Sequence, residues 1–103
     1  MPEIINLYAD ANPATTGVNF YVEHNRPTAR TEVTVAVYDL MGRMVWSESR
    51  TDRSDTAGMP FSWNLTDTAG RRVSRGIYIY RATMEADGDR MQSKAKKIAV
   101  AAQ

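Results

Sequence analysis

Apolar and polar residues alternate along most of this chain, and this period of two restricts its fold more than any other feature. In the segment Thr31–Tyr38, Val33, Val35 and Val37 fall on one face and Glu32 on the other. Successive side chains of a strand point to opposite faces, so this pattern predicts a half-buried antiparallel strand. No segment has the 3.6-residue period of an amphipathic helix.

Turn signals divide the alternating segments into short strands. Asn12-Pro13 and Asn25-Arg26-Pro27 each place an asparagine, which readily hydrogen-bonds nearby backbone, close before a proline that fixes φ. Gly42 and Gly70 mark further turns, and Asp87-Gly88 is typical of a tight hairpin. Seven strands, roughly 8–15 residues apart, predict an all-β fold, an Ig-like antiparallel β-sandwich.

The same pattern predicts which residues lie inside and which outside. The polar segment from Glu48 to Gly58 is expected to be a surface loop. Period-two placement on the three most apolar strands predicts a core that contains these side chains: Val33, Val35, Val37, Phe61, Trp63, Tyr78 and Tyr80.

Length and composition exclude several classes of protein. The 103 residues suit one domain, so residues 1–103 are predicted to form a single unit. A net charge of +1 gives no basis for nucleic-acid binding, and no apolar run approaches the ~20 residues of a membrane span, so no membrane insertion is expected. The absence of cysteine excludes disulfides, thiolate nucleophiles and cysteine-based zinc sites. Met1-Pro2-Glu3 leads straight into a strand-like run, so no signal peptide is predicted.

The sequence offers no catalytic or metal-binding constellation. His24 is the only histidine, lies beside Asn25 at a strand end, and is expected to stabilise a turn. Asp87 and Asp89 form the tightest acidic pair, but Ca²⁺ takes six to eight oxygen ligands, so a hairpin turn explains them better. We therefore expect no catalytic residue, no metal and no cofactor, and the chain is not expected to be an enzyme.

Two tryptophans leave a carbohydrate-binding alternative open. Trp63 alternates with Phe61 and Leu65, which favours core packing. Trp46 is more open, since it could pair across strands with Tyr38. A carbohydrate-binding module would need Trp46, or another aromatic ring, to be exposed.

Basic residues cluster near the end of the chain. Lys94, Lys96 and Lys97 precede Ile98 and Val100 in the last predicted strand. Lysines at a strand edge prevent edge-to-edge aggregation, and a solvated edge is the reading that spacing alone favours. The sharper interpretation is a docking edge, with an unpaired outer backbone, that binds a partner through these five residues. An excised sandwich with such an edge can also form a homodimer or swap strands in a crystal.

Several motifs taken together resemble a known family. Their joint pattern is similar to the C-terminal Ig-like domains of type IX secretion cargo, and also to the Ig-like domain of the flagellar hook-capping protein. Three segments match: Asn12–Gly17, Val35–Arg43 and Gly76–Arg81. Within them the motif residues are Asn12, Pro13, Gly17, Gly42, Arg43, Gly76 and Tyr78. Trp63, Asp67 and Gly70 match between the second and third segments.

Two further runs narrow the resemblance. Val22–Pro27, which contains His24, Asn25, Arg26 and Pro27, resembles a run in the C-terminal domain of the type IX secretion sortases, which are gingipain-like cysteine endopeptidases. Lys96–Val100 resembles the basic-apolar end of type IX signals. Ala11 departs from the family, where a proline often precedes Asn-Pro.

The resemblance implies a targeting domain whose parent carries the catalytic cysteine and histidine upstream. It implies export through the periplasm and the type IX translocon to the outer membrane or cell surface, and binding to an outer-membrane β-barrel shuttle protein. It also implies that the domain is retained in the sortases, where it would act as a tether. The alternative from another class is a structural accessory or assembly module, similar to the hook-capping domain.

Overall fold

Eight antiparallel strands build the molecule, which we describe from a computed structural model over residues 3–25, 30–52 and 58–101. The strands are β1 Ile4–Ala9, β2 Val18–His24, β3 Thr31–Tyr38, β4 Met44–Asp52, β5 Phe61–Trp63, β6 Gly76–Ala86, β7 Asp89–Gln92 and β8 Lys96–Val100.

The strands form two sheets that face each other. The first sheet has the order β1-β2-β5, and the second has β4-β3-β6 with β7 and β8 both on the far side of β6. Strand β6 is long enough to serve both partners, because Gly76–Tyr80 pairs with β8 and Thr83–Ala86 pairs with β7. The predicted β-sandwich is therefore confirmed, with eight strands where seven were expected.

The inward faces of the two sheets form one apolar core. Every side chain that the alternation predicts to be buried is buried, with less than a tenth of its surface exposed. The core residues that join the two sheets include Leu7, Val18, Phe20, Val22, Val33, Val35, Val37, Phe61, Trp63, Tyr78, Tyr80, Met84, Ile98 and Val100.

Aromatic rings fill the centre of this core. The Phe20 ring lies 4.7 Å from Tyr80 and 6.4 Å from Trp63, measured between centroids, so it contacts residues of both sheets. The Trp63 indole donates its Nε1 hydrogen to the Thr66 carbonyl at 2.8 Å, which satisfies its polar atom inside the core. A Cβ on Gly17 would lie 3.3 Å from the Trp63 carbonyl, so this glycine lets the start of β2 approach β5 closely.

Two local expectations were wrong and one is confirmed. Residues 48–52 continue β4 instead of forming a loop, because their polar side chains occupy an edge strand that the period-two pattern alone does not reveal, and residues 53–57 of the predicted loop lie outside the described residues. Trp46 pairs with Val37, not Tyr38, because a bulge shifts the register at the end of β3. The hairpin at Asp87-Gly88 has the positive φ angles, 55° and 79°, that its turn requires.

We predict that Trp63→Ala lowers the free energy of unfolding by about 3–5 kcal/mol, because it removes a large side chain from the middle of a packed core. The measurement is chemical denaturation. Ile5→Ala, which truncates a side chain that is 64% exposed, is the control and should change stability by less than about 0.5 kcal/mol. A loss below about 1 kcal/mol for Trp63→Ala would contradict the packing described above.

Candidate functional site

The residues predicted to bind a partner divide into surface and core. Lys94 and Lys97 are exposed, and Lys97 lies opposite Ile79 on the outer face of the second sheet. Ile98 and Val100 are buried in the core, so the expectation that they form part of a docking surface is wrong. They point inward because they alternate with outward-facing Lys97 and Ala99 on a strand that closes the sandwich.

The outer backbone edge of β8 is covered by the chain itself, so the expected unpaired edge is also wrong. Ala14 donates its amide to Ala99, and Ala101 donates to Ala14, each at 2.8 Å. The Asn12 side chain accepts a hydrogen bond from the Ala99 amide at 3.0 Å and donates to the Lys97 carbonyl at 3.4 Å. The turn that begins at Asn12 therefore holds the last strand in place.

Lys96 has a structural contact that distinguishes it from its neighbours. It pairs with Tyr80 and shares the inward side of β8 with Ile98, but it lies at the opening of the sandwich. Its ammonium group donates to the backbone carbonyl of Leu7 in the opposite sheet. An inward-pointing lysine at a sheet edge also discourages pairing with another chain. Lys96 therefore links the two sheets, and replacing it would disturb the fold as well as the surface.

Two turns with the same D-x-x-G-R spacing lie at one end of the sandwich. In the first, the Asp39 carboxylate accepts hydrogen bonds from the Met41 and Arg43 amides, at 2.9 and 3.0 Å. Gly42 has a positive φ of 85°, which a residue with a Cβ rarely adopts. The second turn repeats this arrangement from Asp67 to Arg71, with amide bonds of 2.9 and 3.0 Å.

The two turns define one electrostatic pattern. The hydrogen bond from the Arg43 amide is the main cause that lowers the pKa of Asp39. The hydrogen bond from the Arg71 amide lowers the pKa of Asp67 in the same way. Both arginines lie mostly in solvent beside their aspartates. Together the turns border a cleft of about 550 Å³, whose wall includes Tyr78. The repeated spacing was readable in the sequence, although each glycine was singled out only as a separate turn.

The remaining predicted turn residues have mixed roles. Tyr78 is buried and donates its hydroxyl to the Ser74 carbonyl at 2.6 Å, just before Gly76 begins β6. Asn25 accepts a hydrogen bond from the Glu3 amide at 2.8 Å and so extends the pairing of β1 with β2. Arg26 and Pro27 lie outside the described residues.

His24 belongs to a buried polar network that the sequence did not reveal. Its Nε2 lies 3.1 Å from an Asp52 carboxylate oxygen, and both side chains are almost wholly buried. The other oxygen of Asp52 accepts a hydrogen bond from Arg50 Nε. The guanidinium also donates to the carbonyls of Met59 and Pro60 and lies 4.0 Å from the centroid of the Phe61 ring.

This network joins the sheets and offers no reactive group to solvent. His24 ends β2 in the first sheet, whereas Asp52 ends β4 in the second, so their contact spans the sandwich. The ring of His24 points into the interior, and residues 26–29 of the turn that follows it lie outside the described residues, so a role for His24 in that turn stays a prediction. The alternation along β4 could have revealed the network, because Trp46, Arg50 and Asp52 share one side of this strand. The alternation was not recognised, because the segment from Glu48 onward was predicted to be a loop.

A second cleft, of about 900 Å³, lies beside Trp46 on the first sheet's side of the molecule. Trp46 is only partly exposed, because its ring lies 6.0 Å from Trp63. The polar groups here already bond one another. Asn19 donates to Asp10 at 2.9 Å and accepts from Ser62 at 2.6 Å. The hydrogen bonds from Asn19 lower the pKa of Asp10.

Within the part of the chain that the structure describes, no group of three or more histidine, aspartate or glutamate side chains is arranged to hold a metal ion. None of the described residues forms a helix of the length and apolarity needed to cross a membrane.

We predict that Asp52→Ala lowers the free energy of unfolding by about 3–5 kcal/mol, because it leaves the Arg50 charge without its buried counter-ion. Thermal or chemical denaturation provides the measurement. Arg43→Ala, which breaks an exposed pair with Asp39, is the matched control and should cause no measurable loss. Equal stability of the two variants would contradict the structural role of the network.

The fold recurs in larger solved structures. No family model matches the chain, and no curated protein does. A β-glucuronidase from Parabacteroides merdae matches 96% of the chain with a TM-score of 0.65 at 10% identity, and the match spans 14% of that enzyme. PorZ from Porphyromonas gingivalis, described as a surface component of the type IX secretion system, matches 93% of the chain and 11% of its own, with a TM-score of 0.55 at 19% identity. At these identities both likenesses show the fold alone.

A third match is closer. Dimeric latent PorU from Porphyromonas gingivalis aligns with 94% of this chain at 34% identity and a TM-score of 0.84. The chain spans only 9% of the length of PorU, which is the size of one domain in a much larger protein. The resemblance that the motifs indicated is thereby confirmed: over almost its whole length, this chain is related to one domain-sized part of PorU.

Proposed function

We propose that this chain is a non-catalytic targeting and docking domain of the type IX secretion system. The observation that carries the proposal is the similarity to PorU, which extends over nearly all of this chain but only a small part of PorU. A domain that accounts for so little of its relative contributes something other than the whole protein's activity. We propose that it directs its parent to the cell surface and tethers it at the outer membrane by binding a β-barrel shuttle protein.

The proposal assigns chemistry to the parent and binding to this domain. The parent is proposed to be a gingipain-like cysteine endopeptidase whose catalytic residues lie elsewhere in its sequence. This chain contains no cysteine, and its only histidine is held in a buried network with Asp52. A nucleophile and base within reach of a substrate are needed for peptide hydrolysis, and His24 lies away from the surface.

The structure restricts how such a partner would be bound. Addition of a partner strand to β8 is unfavourable, because Asn12 and Ala14 already occupy its outer backbone groups. Recognition through this region would therefore use side chains. Lys94 and Lys97 are exposed, and cations of this kind favour an acidic partner by steering its approach and fixing its orientation.

We predict that Lys94→Glu with Lys97→Glu keeps the melting temperature of the parent protein but reduces its export and its binding to the shuttle protein. The reason is that two attractive charges become repulsive while no core contact is lost. The measurements are surface display in cells and titration with purified shuttle protein. Arg30→Glu with Arg75→Glu makes the same charge change at two other exposed positions and is the control.

Wild-type export and binding by the lysine variant would show that these lysines are only a solvated edge. Loss of binding in both variants would show a dependence on net charge and would also contradict a specific lysine site. Lys96 is left unchanged in this test, because its contact with Leu7 would confuse folding with binding.

We also predict that the purified chain does not cleave peptides. Hydrolysis would be followed with a mixture of fluorogenic peptides, and His24→Gln is the companion variant. Cleavage that depends on His24 would overturn the assignment of a non-catalytic role.

A further inference from the structure

The outer face of the second sheet changes in character from one end to the other. Residues that lie opposite one another on adjacent strands form rows across this face. Four rows follow one another: the first is mostly charged, the second is polar, the third contains Arg81, and the fourth, which we call the apolar row, lies near the β3–β4 turn and is apolar except for Lys97. In that order they are Thr51–Glu32–Glu85–Arg90, Ser49–Thr34–Thr83–Gln92, Ser47–Ala36–Arg81 and Met44–Tyr38–Ile79–Lys97.

The turn beside the apolar row is also apolar at its tip, and the fold does not require this. Leu40 and Met41 are 66% and 82% exposed at the tip of the first D-x-x-G-R turn. The second turn has the same hydrogen bonds but carries Thr68 and Ala69 at the equivalent positions. The backbone geometry is therefore compatible with small or polar residues, and the leucine and methionine serve something other than the turn.

These side chains form one surface, which we call the apolar patch: Tyr38, Leu40, Met41, Met44, Ile77 and Ile79. Met44 is 56% exposed and Ile77 is 42% exposed. Single exposed apolar residues are ordinary, but contiguous exposed apolar patches of this kind mark interaction sites. A shallow depression of about 500 Å³ lies within the patch, between Tyr38, Leu40, Ile79 and Arg81.

Arg81 lines this depression and is only partly buried. Its Nε is inaccessible to solvent, so a partner from outside would meet the terminal part of the guanidinium group. A carboxylate matches a guanidinium in both charge and geometry.

The rim of the apolar patch has the same sign of charge as Arg81. Lys97 ends the apolar row and is exposed. Asp39 and Arg43 lie nearby but pair with each other, so together they add no net charge. A second copy of this chain would bring these cations together, whereas a partner with acidic groups would complement them.

We propose that the apolar patch is a docking surface for a protein segment that presents apolar side chains beside a carboxylate, with the carboxylate bound to Arg81. The apolar side chains cover Leu40, Ile77 and Ile79, and the acidic group pairs with the guanidinium charge of Arg81 at the depression. Lys97 borders this surface as well as belonging to the lysine site proposed above, whereas Lys94 and the covered edge of β8 lie outside it. The proposal does not depend on the export function, because it follows from this face of the sheet alone.

The test is selection of displayed random 12-residue peptides on the folded chain, followed by titration of synthetic peptides. We expect selected peptides to combine apolar residues with aspartate or glutamate. Arg81→Gln should weaken their binding by about tenfold or more, since it removes a charge-assisted bond. Leu40→Thr with Met41→Ala should weaken it similarly. This double variant copies the second turn, so it should unfold at the wild-type temperature.

Thr83→Ala, on the same strand and face but in the polar row, is the control and should bind the peptides like wild type. Peptides that carry no acidic residue, or that bind equally to all variants, would overturn the proposal. Sedimentation equilibrium tests whether a second copy of the chain occupies the patch instead. A wild-type dimer that Leu40→Thr with Met41→Ala dissociates would show that a second copy occupies the patch, and would also overturn it.

Discussion

The packing of Phe20 between the two sheets is the contact on which the rest of the structure depends. Phe20 extends from the first sheet and touches Tyr80 of the second, while Trp63 fills the space beside it. Aromatic groups of this size dominate the energetics of small cores. Because they fix which faces point inward, they also fix which residues of β3, β6 and β8 reach the solvent. The positions of Lys97, Arg81 and Ile79 on one outer face follow from that packing.

The outer backbone edge of β8 is covered by the chain itself, whereas the apolar patch remains exposed. The backbone of β8 is closed by Asn12 and Ala14, and Lys96 blocks the opening between the sheets. Such closure protects a sandwich from uncontrolled strand addition. The side chains of the apolar patch, in contrast, remain open to contact. Interaction through side chains is more selective than strand pairing, since main-chain hydrogen bonds are available to any extended peptide.

The sequence predicted the fold and most of the core but only part of the site. Alternation sufficed for Val33, Val35 and Val37, because a strand with two different faces displays its period directly. It failed for Arg50 and Asp52, where an edge strand turns polar side chains inward and a buried ion pair replaces apolar contacts. It also failed at Ile98 and Val100, which were read as part of a surface. Whether an edge is open depends on the segment beside it, here residues 12–14, and no local pattern contains that information.

The contact between Asn12 and β8 has a consequence for the order of assembly. The residues that bond there are 85 and 87 positions apart in the sequence. Contacts of such long sequence separation form late, since the entropy of closing the intervening loop must be overcome first. Until β8 has paired, residues Gly76–Tyr80 of β6 lack the strand on one side. The Asn12 side chain likewise lacks its two hydrogen-bond partners in β8. A chain that is made residue by residue therefore cannot close this edge until β8 itself is available.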